Sequence, residues 1–298
     1  MARVARHKTK VASEHKEQSA MEYLMTYGWA ILIIAVVLGA FFQLGIFNTA
    51  SFTPRAAPGA CRVVRNPAFG AMLEGICDNA LPLTVGKFST SGNKGGGLAC
   101  MNVTLPTMNL NGGGYNTVSF WMYWNGTDNQ SIVGFPGYFF LLYSGCIGFT
   151  TGNKDVYGVS SSGLANTWSM ITLEFYNGPF ATNNKIYING ALQNPYQCVG
   201  LAHTGMAKTN LLIGSSTGSK YAYSGDVANL QIYNSSLDSN TILRMYEEGM
   251  GGAPIELSTL VSWIPLNSNS KDYSGYTNQL ITSSTSCSQS YFGSYSLP

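Results

Sequence analysis

The chain has 298 residues, of which 45% are hydrophobic and only 10% charged, with 34 Gly and 18 Tyr. A charged fraction this far below the roughly 25% of ordinary soluble domains excludes a coiled coil, a helical bundle and a charge-rich disordered chain. It also argues against nucleic acid as a partner, because 16 Lys and Arg cannot build a basic stripe.

The charge is uneven along the chain. Residues 1–17 carry Arg3, Arg6, Lys8, Lys10 and Lys16 against Glu14 and Glu17, a net of +3. The rest holds 11 basic and 12 acidic residues, a net of −1. The formal +2 therefore belongs to a basic leader, not to the body.

No charge occurs between Glu22 and Arg55, and Tyr27 to Phe47 is apolar apart from Gly28, Gly39, Gln43 and Gly45. A run of about 20 such residues is long enough to span a bilayer as a helix. It has no amphipathic stripe, which a buried core helix would show. A secretory signal peptide has a shorter apolar region followed closely by a small-residue cleavage site. The basic leader orients the helix with everything after Phe47 outside the cell.

The block Lys16-Glu17-Gln18-Ser19-Ala20-Met21-Glu22 resembles the class III signal peptides of archaeal pilins and archaellins. The resemblance covers about residues 14–47. It implies cleavage between Glu17 and Gln18 by a prepilin peptidase, on the cytoplasmic side of the apolar run. Glu17 departs from the small residue that usually precedes the cut. The resemblance also implies a role for Glu22 in assembly. A carboxylate in an apolar setting must be paired or protonated. Cleavage would create an α-amino group one helical turn upstream of Glu22, on the same chain or on a neighbour. A plain signal anchor with Glu22 in the headgroup zone is the alternative. The expected segments are a leader over 1–17, a transmembrane or filament-core helix over 18–47 and a linker over 48–60, where two Pro and one Gly stop the helix.

Residues 61–298 read as short strands separated by Gly, Asn and Ser. Val118, Phe120, Met122 and Trp124 alternate with Ser119, Trp121 and Tyr123. Ile171, Leu173 and Phe175 alternate with Met170, Thr172 and Glu174. Ile186 and Ile188 precede Asn189-Gly190, a hairpin turn signal. Leu211 and Ile213 precede Gly214, and Leu230 and Ile232 alternate with Gln231. A helix is expected over Ser239 to Glu248, with a Ser cap and a stop at Gly249. Many short strands with turns between them indicate a β-sandwich.

Three stretches in order carry a second resemblance: Asn116 to Met122, Asn166 to Leu173 with Lys185 to Gly190, and Tyr223 to Asn234. They resemble the concanavalin A-like, laminin G-like jelly rolls over about residues 80–250. The expected class is therefore mainly β: an N-terminal hydrophobic α-helix followed by a jelly-roll β-sandwich. In that family the Thr259–Asn278 type of segment usually opens a domain. Here the 20 residues that follow it cannot build a second core, so it is expected to complete the first.

Six Cys (Cys61, Cys77, Cys100, Cys146, Cys198 and Cys287) all follow the apolar run, an even number that suggests disulfides. Cys61 with Cys77 is expected from closeness in sequence. Buried reduced Cys is the alternative. Asn102, Asn125, Asn129 and Asn234 head glycosylation sequons. No Cys-x-x-Cys and no His cluster point to zinc. No cofactor is expected; the resemblance brings calcium to mind, but Asp128, Asp155, Asp226, Asp238 and Asp272 form no dense ligand loop.

Glycoside hydrolysis needs two carboxylates at a fixed separation. Sandwich hydrolases commonly carry Glu-x-Asp-x-Glu on one strand, and Glu174 stands alone here. No catalytic residue is expected. Trp124 and Tyr123 are candidates for stacking on sugar rings, weighed against core positions. The expected function is a subunit of an archaeal pilus-like filament, a homo-oligomer that displays an adhesive glycan- or protein-binding module outside the cell. A single-pass membrane-anchored surface lectin is the alternative, and a secreted polysaccharide hydrolase ranks below both.

Overall fold

The computed structural model describes residues 8–43, 55–77, 80–89, 100–105, 107–179, 183–216, 221–276, 278, 280–281 and 291–295. The chain divides into two units, Met1–Thr53 and Pro54–Pro298.

The first unit contains one helix, Lys8–Gln43. It starts inside the leader rather than at Gln18, because Lys, Glu, Gln and Ala of the leader are good helix formers. The backbone helix runs unbroken past Glu17, Gln18 and Glu22. Four consecutive residues, Ile31 (66%), Leu32 (53%), Ile33 (57%) and Ile34 (58%), which point round the whole helix, are all more than half exposed. Among the described residues no helix is long and apolar enough to cross a membrane. Residues 44–54, which include most of the expected linker, lie outside the described residues.

The second unit is a sandwich of two sheets, each of eight strands among the described residues. The first sheet runs Tyr196–Val199, Val156–Ser160, Cys146–Thr150, Tyr138–Tyr143, Gln130–Phe135, Asn210–Ile213, Met101–Thr104, Leu280–Ile281. The second runs Ala191–Leu192, Lys185–Ile188, Trp168–Tyr176, Tyr115–Trp124, Gly225–Tyr233, Val85–Phe88, Tyr291–Gly293. Leu260–Ile264 also pairs with Gly225–Tyr233.

The period-2 pattern positions the core. Val118, Phe120, Met122 and Trp124 are buried between the sheets, with Ile171, Leu173, Phe175 and Ile186 beside them. The register sets Leu173 against Val118 and Ile171 against Phe120. Facing them, Phe135, Tyr138, Phe140 and Phe149 come from the first sheet. Ring centroids of Phe149 and Phe175 lie 5.0 Å apart, edge to face. Asn189 (φ 51°) and Gly190 (φ 78°) form the expected two-residue turn with both residues left-handed.

The helix Ser239–Glu247 lies on the outer side of the second sheet. Its cap is Asp238, not Ser239: the carboxylate accepts from the amides of Asn240 and Thr241 at 3.0 Å each. A carboxylate meets the unpaired amides of a first turn better than a hydroxyl one residue later. Ile242 and Met245 pack with Met170, Tyr187, Tyr233 and Trp263.

Two boundaries need correction or placement. Arg55–Ala56 pairs in parallel with Leu81–Pro82, and Arg55 Nη1 donates to the Pro82 carbonyl at 3.1 Å. The body therefore begins before Cys61, and the end of the expected 48–60 linker is part of it. Leu260–Ile264 sits in the second sheet, and Val261, Ile264 and Leu266 are buried in the same core as Phe120. Residues 260–266 thus complete the one sandwich.

Candidate functional site

The strand Tyr138–Tyr143 is apolar on both faces. Tyr138, Phe140 and Leu142 point into the core, while Phe139 and Leu141 are buried on the outer side. A strand with two apolar faces must be covered on both. Phe139, Leu141, Cys146 and Val156 form that outer cluster, with Tyr143, Cys198 and Val199 packed against it.

Two disulfides are fully described. Cys61–Cys77 closes the hairpin of Cys61–Asn66 and Gly70–Gly75, with Cα atoms 4.9 Å apart. Cys146–Cys198 joins two strands of the first sheet across an intervening one, at 6.6 Å between Cα atoms. In the observed register a flat sheet would hold these two Cα atoms roughly 15 Å apart, at about 4.8 Å between strands and 3.3 Å per residue. The sheet is therefore coiled rather than flat between these strands, a stretch that holds the opposed pair Gly148 and Gly158 and a register shift at Val156 and Tyr157. A Cβ on Gly148 would lie 2.5 Å from the Tyr157 carbonyl oxygen and 2.7 Å from Gly158 Cα. Only glycines permit this approach, and on the edge strand Tyr196–Val199 the side chains of Cys198 and Val199 pack against the outer cluster. Cys100 is also disulfide-bonded, and Cys287 lies outside the described residues.

A pocket opens on this outer side. It is lined by Phe139, Leu141, Tyr143, Thr150, Gly152, Lys154, Asp155, Val156 and Tyr221, and holds about 370 Å³ counted out to solvent. The Tyr221 ring faces that of Phe139, with centroids 6.5 Å apart and planes tilted by 34°.

Asp155 organises the loop that forms one wall. Its Oδ1 accepts from Thr150 Oγ1 (2.8 Å), the Thr151 amide (3.1 Å) and the Asn153 amide (3.2 Å). Its Oδ2 accepts from Thr151 Oγ1 at 2.8 Å and lies 3.1 Å from His203 Nδ1. Burial pushes the carboxyl up, but the hydrogen bonds from Thr151, Thr150 and His203 outweigh it and hold it below the ordinary carboxylate range. Gly152 (φ 83°) and Lys154 (φ 58°) take the left-handed turns that fold the loop back over the carboxylate.

The residues singled out from sequence do not converge on this pocket. Trp124 is a core residue whose Nε1 donates to the Thr127 carbonyl at 2.8 Å. Tyr123 packs on Trp168 at 5.8 Å. Glu174 is fully buried on the second sheet and ion-paired to Lys185 at 2.9 Å. Asn125 and Asn129 are exposed in the turn between Tyr115–Trp124 and Gln130–Phe135. Asn102 lies within the strand Met101–Thr104, and the Asn234 amide donates to the Thr107 carbonyl at 2.9 Å. Among the described residues no group of His, Cys, Asp or Glu is arranged to hold a metal ion. Sequence reading missed Phe139, Tyr143, Lys154 and Tyr221. The available signal was the unbroken apolar run Tyr138 to Tyr143, which announces a second covered face.

Residues 100–243 match the family model described as the concanavalin A-like lectin/glucanases superfamily, a laminin G model. The match supports a concanavalin A-like, laminin G-like domain in this stretch. Solved structures with a similar fold include a proposed carbohydrate binding protein from Bacteroides ovatus, 13% identical, covering 77% of this chain and 64% of that one, with a TM-score of 0.49. The heptameric SAP-like pentraxin from Limulus polyphemus is 14% identical over 59% of this chain and 88% of its own, with a TM-score of 0.42. The receptor binding domain of botulinum neurotoxin C/D mosaic serotype is 13% identical over 63% and 51%, with a TM-score of 0.35. This chain spans less than two thirds of the Bacteroides and neurotoxin chains. No protein with curated annotation matches it.

Proposed function

We propose that the sandwich is a carbohydrate-binding module and that the N-terminal helix displays it outside the cell as a subunit of a pilus-like filament. The observation that carries the binding half is the pocket on the outer face of the first sheet. Its apolar floor is flanked by Tyr143 and Tyr221, surfaces on which the C–H face of a sugar ring can rest. The lectin family match over residues 100–243 points the same way. The display half rests on the residue 14–47 pattern and on the exposed, all-round apolar surface of the helix. Such a surface is stable only against lipid or against other apolar helices.

In this reading the membrane, a prepilin peptidase and further copies of the chain are the partners of the helix. In the same reading the body binds rather than cuts, and the Glu174–Lys185 ion pair is consistent with a structural role for that carboxylate. The reading is tested on the full chain in detergent micelles, titrated with a panel of neutral and acidic oligosaccharides. Binding is expected, and Tyr221→Ala should weaken it about tenfold without moving the melting temperature, the ~1–1.5 kcal/mol of one aromatic wall. Absence of binding across the panel, or an unaffected Tyr221→Ala, overturns it. Mass spectrometry of the mature N-terminus separates filament subunit from plain anchor: Gln18 as first residue is expected for the former, an intact leader for the latter.

A further inference from the structure

We infer that Asn125 carries an N-linked glycan on the displayed body, and that Asn102, Asn129 and Asn234 stay bare. The inference rests on the display outside the cell proposed above and adds a covalent modification of the body.

The sequence offers these four Asn-x-Ser/Thr sequons and does not rank them. The transferring enzyme engages the Asn amide and the hydroxyl residue two positions on together. Both must therefore be reachable on a surface turn. The fold separates the four sequons on that ground.

Asn102 lies inside a strand paired on both sides, opposite Leu212 and Ile281, and its Oδ1 is buried. Asn129 is exposed, but its hydroxyl residue is not. Ser131 is fully buried, and its amide donates to the Tyr221 carbonyl at 2.6 Å. Asn234 is half-buried and its sequon is pinned by several bonds. The Asn234 backbone amide donates to the Thr259 carbonyl at 3.0 Å, and its Nδ2 donates to the Thr107 carbonyl at 2.9 Å. The Ser235 carbonyl accepts from Thr117 Oγ1 at 2.6 Å.

Asn125-Gly126-Thr127 meets both conditions. All three residues are exposed. Asn125 Oδ1 accepts from the Thr127 amide at 3.0 Å, which folds the side chain back over its own sequon. Gly126, at φ 87°, supplies the left-handed residue of that turn. The Thr127 hydroxyl makes no hydrogen bond among the described residues. Asn125 Nδ2 donates only to the Ser224 hydroxyl, at 3.0 Å, a half-exposed group that can rotate away.

The co-substrate is a glycan carried on a polyprenyl phosphate. Nδ2 of Asn125 bonds to the anomeric carbon, and the bond from that carbon to the phosphate oxygen breaks. The lipid phosphate leaves with the electron pair, and one Nδ2 proton passes to the enzyme's base. The second Nδ2 proton remains, so the nitrogen can still donate to Ser224.

The experiment labels intact cells with a membrane-impermeant amine reagent, isolates the full chain from them and maps its peptides by mass spectrometry. Expected is a labelled chain with a glycan mass on the peptide that holds Asn125 and none on those of Asn102, Asn129 and Asn234. Asn125→Gln and Thr127→Val should each lose the whole glycan mass, and Thr127→Ser should keep it. A labelled chain with bare Asn125, or with a glycan on any of the other three, overturns the inference and leaves the display reading standing. An unlabelled chain that is bare at all four overturns both. The replaced residues are exposed, and a melting curve for each variant confirms that folded proteins are compared.

Discussion

Gly158→Ala tests the coil of the first sheet most directly. The added methyl would fall within contact distance of the Ile147 carbonyl and 2.5 Å from Gly148 Cα. All its neighbours are backbone, so no side chain can rotate away, and the two strands must part. Overpacking of this kind costs about 3 kcal/mol, the upper end of the usual range. For a body of this size each kcal/mol moves the melting temperature by about 2–4 °C, so a fall of roughly 6–12 °C is expected. Parting the strands also flattens the coil, so the Cys146–Cys198 pair should form incompletely. The assays are thermal unfolding followed by circular dichroism and a count of reactive thiols. Gly112→Ala is the control, because a Cβ there meets nothing within 4 Å. It should be neutral or stabilise slightly. A Gly158→Ala variant that melts with the parent and shows no free thiol would refute the reasoning.

Three further outcomes are expected. Asp155 is held below its unfolded value, so its contribution to stability is full above about pH 3.9 and drains away as pH falls through the lower folded value. Asp155→Asn should be less stable at neutral pH and should lose part of the acid-side decline, as read from urea midpoints at several pH values. Phe149→Ala removes a fully buried ring that touches Phe140 and Phe175, and should cost about 3–5 kcal/mol in chemical denaturation. Replacing Cys61 and Cys77 together by Ser opens a loop with a sequence separation of 16 and should cost about 3 kcal/mol in the same assay, most of it through the unfolded chain.

How far the fold could be read from sequence depended on whether each cue was local. The alternation of Val118 to Trp124 and of Ile171 to Phe175 placed those side chains on the correct faces, because the wholly apolar set fills the core between the sheets while the set with Ser119, Thr172 and Glu174 lies on the outer side, itself mostly buried. Asn189-Gly190 named its own turn. The helix cap went to Asp238 rather than Ser239, since both are good caps and only geometry chooses between them. The pocket was invisible for a different reason. Phe139, Lys154 and Tyr221 are distant in sequence, and the coil at Gly148 and Gly158 that shapes this face follows from strand order. Strand order is a global property that periodicity does not carry.

The strand Leu260–Ile264 lies beside Gly225–Tyr233, and the nearby Val85–Phe88 pairs with Tyr291–Gly293. Arg65 reaches the Leu260 carbonyl across 195 positions at 2.7 Å. The order of synthesis therefore matters. The hairpin closed by Cys61 and Cys77 can form while the chain is still emerging. The core cannot be sealed until Val261, Ile264 and Leu266 have been made. For most of its production time the sandwich is an open book with a wet spine. Contacts this long-range make the last step a slow one.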